Sequence, residues 1–284
     1  MAETLPTRDT PLARLVQRAP IAVFLVGTFV WAWALWGYWV VAMPSGGLVV
    51  TAPFVLCAVI GGFAPSLAAI FTSWLISGRH QVAHFLGGIL RFRAPPLHYA
   101  AALGIVPGTA LLGTVLLPIF VGPLKPADPS VMALAVIWPL LAALGEEFGW
   151  RGFLFPKLIH RFGLVGSALL VGVIWGVWHL PADFIGLKGY GSLFVLAFLV
   201  NGPLVLTAHA LIMAWLWRRT GANLLMMVLY HWSITASAML FPTAGGQDAW
   251  GIGAAALSAG LFWVLAIGLW VNEARHLRPA ASRT

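Results

Sequence analysis

Leu144-Gly145-Glu146-Glu147-Phe148-Gly149-Trp150-Arg151-Gly152-Phe153-Leu154 sets two adjacent carboxylates and a guanidinium inside an otherwise apolar run. The residues before it, Ile137 to Leu144, carry no charge. Only 8 of the 284 residues are acidic, and two of them stand side by side here. A carboxylate in hydrocarbon costs at least about 2.5 kcal/mol on the most lenient insertion scales, and neighbouring carboxylates cost more. Ionisable groups held at that cost mark a functional site within a membrane segment.

The rest of the chain fits that setting. It is 61% hydrophobic and 8% charged, with a mean hydropathy of +0.92 and 15 Trp, against roughly 25% charged residues in a soluble domain. A soluble fold has no way to hide that much apolar surface, so the expected class is all-α, a polytopic bundle of about eight transmembrane helices. The spans fall near residues 20–43, 53–77, 97–121, 131–155, 163–182, 191–217, 221–241 and 250–272. Residues 1–19 read as a cytoplasmic N-terminal tail, 20–272 as a single membrane domain, and 273–284 as a cytoplasmic tail. The one cysteine, Cys57, rules out an internal disulfide or a paired-Cys metal site and reads as a packing residue.

The net charge of +8 would suggest nucleic acid in a soluble protein. Here the positive-inside rule accounts for it, and the lipid bilayer is the expected partner. With eight spans, 14 of the 16 Lys and Arg residues fall on the side of the termini, including Arg14, Arg79, Arg93 and Arg218. Lys125 and Lys188 fall on the other side. Both termini are then cytoplasmic, and the short loops suggest a prokaryotic cell membrane. Residues 78–96, with His80, His84, Arg91 and Arg93, form a cytoplasmic connector, either an interfacial amphipathic helix or a solvated loop.

Depth along the helices shows which polar residues can meet. Glu146 lies 16 residues before Phe162 and His179 lies 17 after it. At 1.5 Å per residue both stand ~25 Å from a turn near Arg161-Phe162-Gly163, on neighbouring antiparallel helices. His231 lies ~18 Å above the turn at Arg219-Thr220, broadly level with them, and Thr235 follows one helical turn later. Glu147 and Arg151 are spaced i,i+4 with the acid first, which favours an ion pair and leaves Glu146 as the free carboxylate. The alternative is one buried network of all three. His179 and Glu146 could share a water or both ligate a metal, and His231 and Thr235 could supply donors to a developing oxyanion. His209 is a reserve ligand that reads mainly as structural, and Asn201 reads as helix packing.

Taken together, Glu146-Glu147-x-x-x-Arg151, Trp175-x-x-x-His179 and His231-x-x-x-Thr235 resemble the motifs of the CAAX protease and bacteriocin-processing family. This is a family of eight-helix intramembrane proteases, and the resemblance covers roughly residues 131–240. The match extends through Gly152-Phe153-Leu154 and includes Thr220-Gly221 before the last motif. Two positions depart from the family pattern: Trp175 stands where Phe is usual, and Thr235 stands where Asn is usual.

The resemblance implies an intramembrane endopeptidase acting on a membrane-associated peptide or protein, lipidated in the family's best-known case. Glu146 and His179 would then activate water, His231 and Thr235 would stabilise the oxyanion, and Glu147 with Arg151 would hold the helix. The cofactor would be none or Zn2+, the latter held by Glu146, His179 and His231. The water is expected to arrive through a polar cavity open to the cytoplasm. A weakly active or inactive peptide-binding protein conferring bacteriocin self-immunity is the alternative, kept open by Thr235. A proton- or metal-coupled transporter ranks third, because no internal repeat is visible.

Overall fold

The computed structural model describes residues 9–42, 51–243 and 246–277. Arg8, Arg278 and Arg283 lie outside the described residues, as do the side chains of His80 and His84. The described chain is helical nearly throughout: α1 (Pro11–Arg18), α2 (Pro20–Ala42), α3 (Ala52–Gly62), α4 (Ala64–Gly87), α5 (Pro96–Val121), α6 (Pro129–Met132), α7 (Ile137–Glu147), α8 (Phe155–Trp178), α9 (Leu180–Leu187), α10 (Phe194–Leu199), α11 (Val205–Arg219), α12 (Leu224–Leu240) and α13 (Ala249–Leu277). Five stretches are long and apolar enough to cross a bilayer, or six with the bent pair α3 and α4, and α12 is a shorter apolar helix.

Breaks inside these stretches bring the expected segments together. The continuous run Ile137–Trp178 would be ~60 Å long if straight. Yet Trp175 hydrogen-bonds Glu146 at 2.5 Å, so the chain must double back. It does so at Gly163, whose φ of 64° an L side chain adopts only at a cost. A second positive-φ residue, Gly78 at 70°, ends the membrane part of α4. The expected connector 78–96 therefore starts as helix, and a loop then leads to Pro96.

Several spans are more broken than expected. The second bends by 46° between α3 and α4, where Pro65 sits in the first turn of α4 and lacks an N–H for the preceding turn. The fourth and sixth each contain a wide π-helical segment, Phe148–Leu154 and Val200–Leu204. The N-terminal tail is itself helical over α1, capped by Thr10 and burying Ala13 and Val16.

One end of the bundle is basic. Asn223, between α11 and α12, donates to the Arg91 carbonyl oxygen, and Arg218 and Arg219 both pair with the buried Glu273 of α13. These contacts bring together the ends of α11 and α13 and the loop before α5. Lys125, in the opposite loop, pairs through its backbone with Thr243. Arg151 departs from the expected charge count, because it is 3% exposed and lies inside the bundle rather than on its face.

Gly176 of α8 shows how closely the helices approach, since a Cβ there would lie 2.4 Å from the Pro203 backbone. Gly176→Ala should lower the stability of the detergent-solubilised protein by about 1–3 kcal/mol. Gly104→Ala, where a Cβ would meet nothing within 4 Å, should leave thermal unfolding unchanged, and melting curves of the two variants make the comparison.

Candidate functional site

The two adjacent glutamates face different partners. Glu147 is fully buried, and its Oε1 accepts from Arg151 Nη1 at 2.8 Å and from His231 Nδ1 at 2.7 Å. The i,i+4 pair expected within the fourth span forms, and His231 joins it from α12. The Arg151 guanidinium also lies 4.3 Å over the Trp175 ring, where a desolvated cation–π contact contributes roughly 2 kcal/mol.

Glu146 is held separately. Its Oε2 accepts from the Trp150 and Trp175 indoles at 3.2 and 2.5 Å. Its Oε1 faces His179 Nε2 and His231 Nε2, each at 4.0 Å. Glu146 has no cationic partner at the i,i+4 position, as expected, and two indole donors hold it instead. Trp150 was within reach of sequence reasoning, because it follows Glu146 at the same i,i+4 spacing that pairs Glu147 with Arg151. Trp175 stands where the family's usual Phe has no N–H to donate.

The histidine tautomers follow from their partners. His179 Nδ1 lies 3.0 Å from the Trp175 carbonyl oxygen, which only accepts, so Nδ1 carries the proton and Nε2 is directed at Glu146. His179 sits where α8 ends, before Pro181 in the first turn of α9. His231 likewise donates from Nδ1 to Glu147 and turns Nε2 toward Glu146. Both imidazoles therefore turn Nε2 toward the same carboxylate oxygen. A water ~2.8 Å from Glu146 Oε1 and from either Nε2 fits separations of 4.0 Å.

Two imidazoles and a carboxylate are also a donor set that zinc accepts. Ligands ~2.0–2.1 Å from a tetrahedral zinc stand about 3.3 Å apart, closer than these atoms are. Among the described residues no three His, Cys, Asp or Glu stand at metal-holding spacing.

These residues form the floor of a cavity of about 310 Å³, whose walls include Thr235, Trp36, Trp39, Phe54, Phe63 and Trp138. Thr235 thus lies with Glu146, His179 and His231. The cavity lies on the side of these residues away from the turn at Gly163. On the side of that turn Phe24, Trp150, Phe153 and Leu154 fill the interior, with Phe24 5.7 Å from Trp150 and 5.0 Å from Phe153 between ring centroids.

His209 hydrogen-bonds Tyr230 at 3.1 Å and packs on Phe262, away from the cavity. Asn201 donates to the Ala197 carbonyl oxygen. Asp183, which sequence reasoning passed over, lies one turn beyond His179 and interacts electrostatically with His179 and Glu146.

Residues 128–237 match the family model described as type II CAAX prenyl endopeptidase, Rce1-like. The matched segment includes all three motifs. CAAX prenyl protease 2 of Methanococcus maripaludis is 29% identical to this chain over 97 residues, which cover 34% of this chain and 36% of the relative. The aligned part thus spans about a third of that protein's length. Both comparisons support the resemblance to the CAAX protease and bacteriocin-processing family, and neither favours the immunity alternative.

Removing one member of a buried ion pair strands the other. Arg151→Ala should destabilise the protein by about 3–5 kcal/mol. Glu146→Gln should unfold close to wild type, because the amide oxygen still accepts from both indoles; thermal unfolding in one detergent compares the two.

Proposed function

We propose that this protein is an intramembrane endopeptidase of the CAAX-protease type, acting on a membrane-associated peptide or protein. The observation that carries this reading is the placement of His179 Nε2 and His231 Nε2, each 4.0 Å from Glu146 Oε1, in the lining of one cavity.

In the proposed reaction, a water beside Glu146 Oε1 is oriented by His179 and gives a proton to Glu146 as its oxygen bonds to the scissile carbonyl carbon. The carbonyl oxygen becomes the oxyanion. His231, when protonated, donates to it from Nε2, with Glu147 as its counter-charge. The Thr235 hydroxyl is a second donor. Collapse of the tetrahedral intermediate breaks the C–N bond, and Glu146 returns the proton to the leaving nitrogen. The products are a carboxylic acid, which keeps the second proton of the water, and an amine. Trp150 and Trp175 position Glu146 through Oε2, leaving Oε1 for the water. Glu147 and Arg151 hold His231 and the helix in register.

The reading is metal-free. Were zinc bound, Glu146, His179 and His231 would hold it and it would polarise the water, at the expense of Glu146 as a free base.

Purified protein should cleave members of a library of prenylated and unprenylated peptides, and Glu146→Gln should abolish that cleavage. A zinc chelator should leave the wild-type rate unchanged, whereas its loss would assign the metal mechanism. Equal cleavage by wild type and Glu146→Gln would overturn the role of Glu146. Thr235→Val should lower kcat by about 10²–10³-fold, the usual effect of losing one oxyanion donor.

A further inference from the structure

The cavity and the positive charges lie at opposite ends of the bundle. Each wall residue lies beyond its helix's contribution to the polar layer, counted away from the basic end. On α7, Trp138 precedes Glu146; after α8, Ala182 and Ile185 follow His179; on α12, Thr235 follows His231. On α2, Trp36 and Trp39 lie beyond Trp33, which bonds the Trp178 carbonyl oxygen at the level of the site. Phe54 and Ala58 of α3 precede Gly62, whose carbonyl oxygen would lie 2.8 Å from a Cβ at Gly145.

Depth agrees with this placement. Glu146 stands ~14 Å from the start of α7 and ~25 Å from the basic turn at Gly163, and His231 stands ~14 Å from the end of α12 and ~18 Å from Arg219. The layer of Glu146 and His231 therefore stands nearer the helix ends remote from the basic end. The wall residue Trp138 is 36% exposed, whereas Phe24, Trp150 and Leu154 on the other side of the layer are inaccessible.

Ten described Lys and Arg residues lie at the basic end (Arg14, Arg18, Arg79, Arg91, Arg93, Lys157, Arg161, Arg218, Arg219 and Arg275), against Lys125 and Lys188 at the other. The positive-inside rule assigns the basic end to the cytoplasm. We propose that the active-site cavity opens toward the extracytoplasmic side and takes an uncharged, apolar segment whose scissile bond lies in the outer half of the membrane. Apart from Glu146 and the two histidines the walls carry no ionisable group, so a charged side chain in the cavity would find no partner. Water for hydrolysis enters from the same side. The substrate part of this inference rests on the endopeptidase reading, and the access route does not.

The test is labelling with a membrane-impermeant thiol reagent in a Cys57→Ser background, on intact cells and on inverted vesicles. Single cysteines are placed in the cavity wall (Ala58→Cys), at its rim (Trp138→Cys), at the basic turn (Arg161→Cys) and at the opposite end (Thr243→Cys). The expected result is labelling of Ala58→Cys, Trp138→Cys and Thr243→Cys in intact cells, and of Arg161→Cys only in inverted vesicles. Trp138→Cys reports the same route should Ala58→Cys fail to accumulate. Labelling of the cavity cysteines only from the side that labels Arg161→Cys overturns the proposal, and so does their labelling from neither side. Thiol labelling does not depend on turnover, so loss of the Glu146 mechanism and loss of this route give separate results.

Discussion

A carboxylate in a membrane interior has to be partnered, and Glu147 is the point at which this protein meets that demand. Its Oε1 joins Arg151 one turn along the same helix to His231 of α12. Separating such a pair would leave a bare charge in low dielectric. The pairing therefore ties the fourth span to the seventh and fixes the rotation of both. Once Glu147 is turned toward Arg151 and His231, Glu146 is turned about 100° away, into the cavity. The cost of burying one glutamate sets the direction of the other.

Around Glu146 the division of labour lies within one carboxylate. Two indole N–H groups hold Oε2, and two imidazoles face Oε1. A neutral N–H donor satisfies the carboxylate without adding a second charge beside it. Each histidine is oriented by a bond from its far nitrogen, to a backbone carbonyl oxygen for His179 and to Glu147 for His231. Such bonds fix which nitrogen is free to act. The wide helical segment over Phe148–Leu154 begins directly after these glutamates, a common setting for local departures from α geometry.

A second buried carboxylate, Glu273, serves a different end of the molecule. With Arg218 and Arg219 it binds the end of α13, which lies beyond the segment that matches the family, to the end of α11 at the basic face. The aromatic packing of Phe24, Trp150 and Phe153 fills the bundle between that face and the reactive layer. The main cavity lies on the other side of the carboxylates.

Much of this was legible in the sequence because it depends on local spacing. Apolar length specified a helical membrane bundle, i,i+4 spacing specified the Glu147–Arg151 pair, and 1.5 Å per residue put Glu146, His179 and His231 at one depth. What spacing along a helix does not carry is the rotation of helices about one another and the volume left between them. Packing between α7, α8 and α12 turned His231 Nδ1 to Glu147, brought Trp175 Nε1 to Glu146, and moved Arg151 from the expected face into the interior. The direction of the cavity was likewise decided by which side chains fill the space above and below the polar layer. That depends on residues from α2, α3, α7, α9 and α12 at once, and no single segment of the sequence contains it.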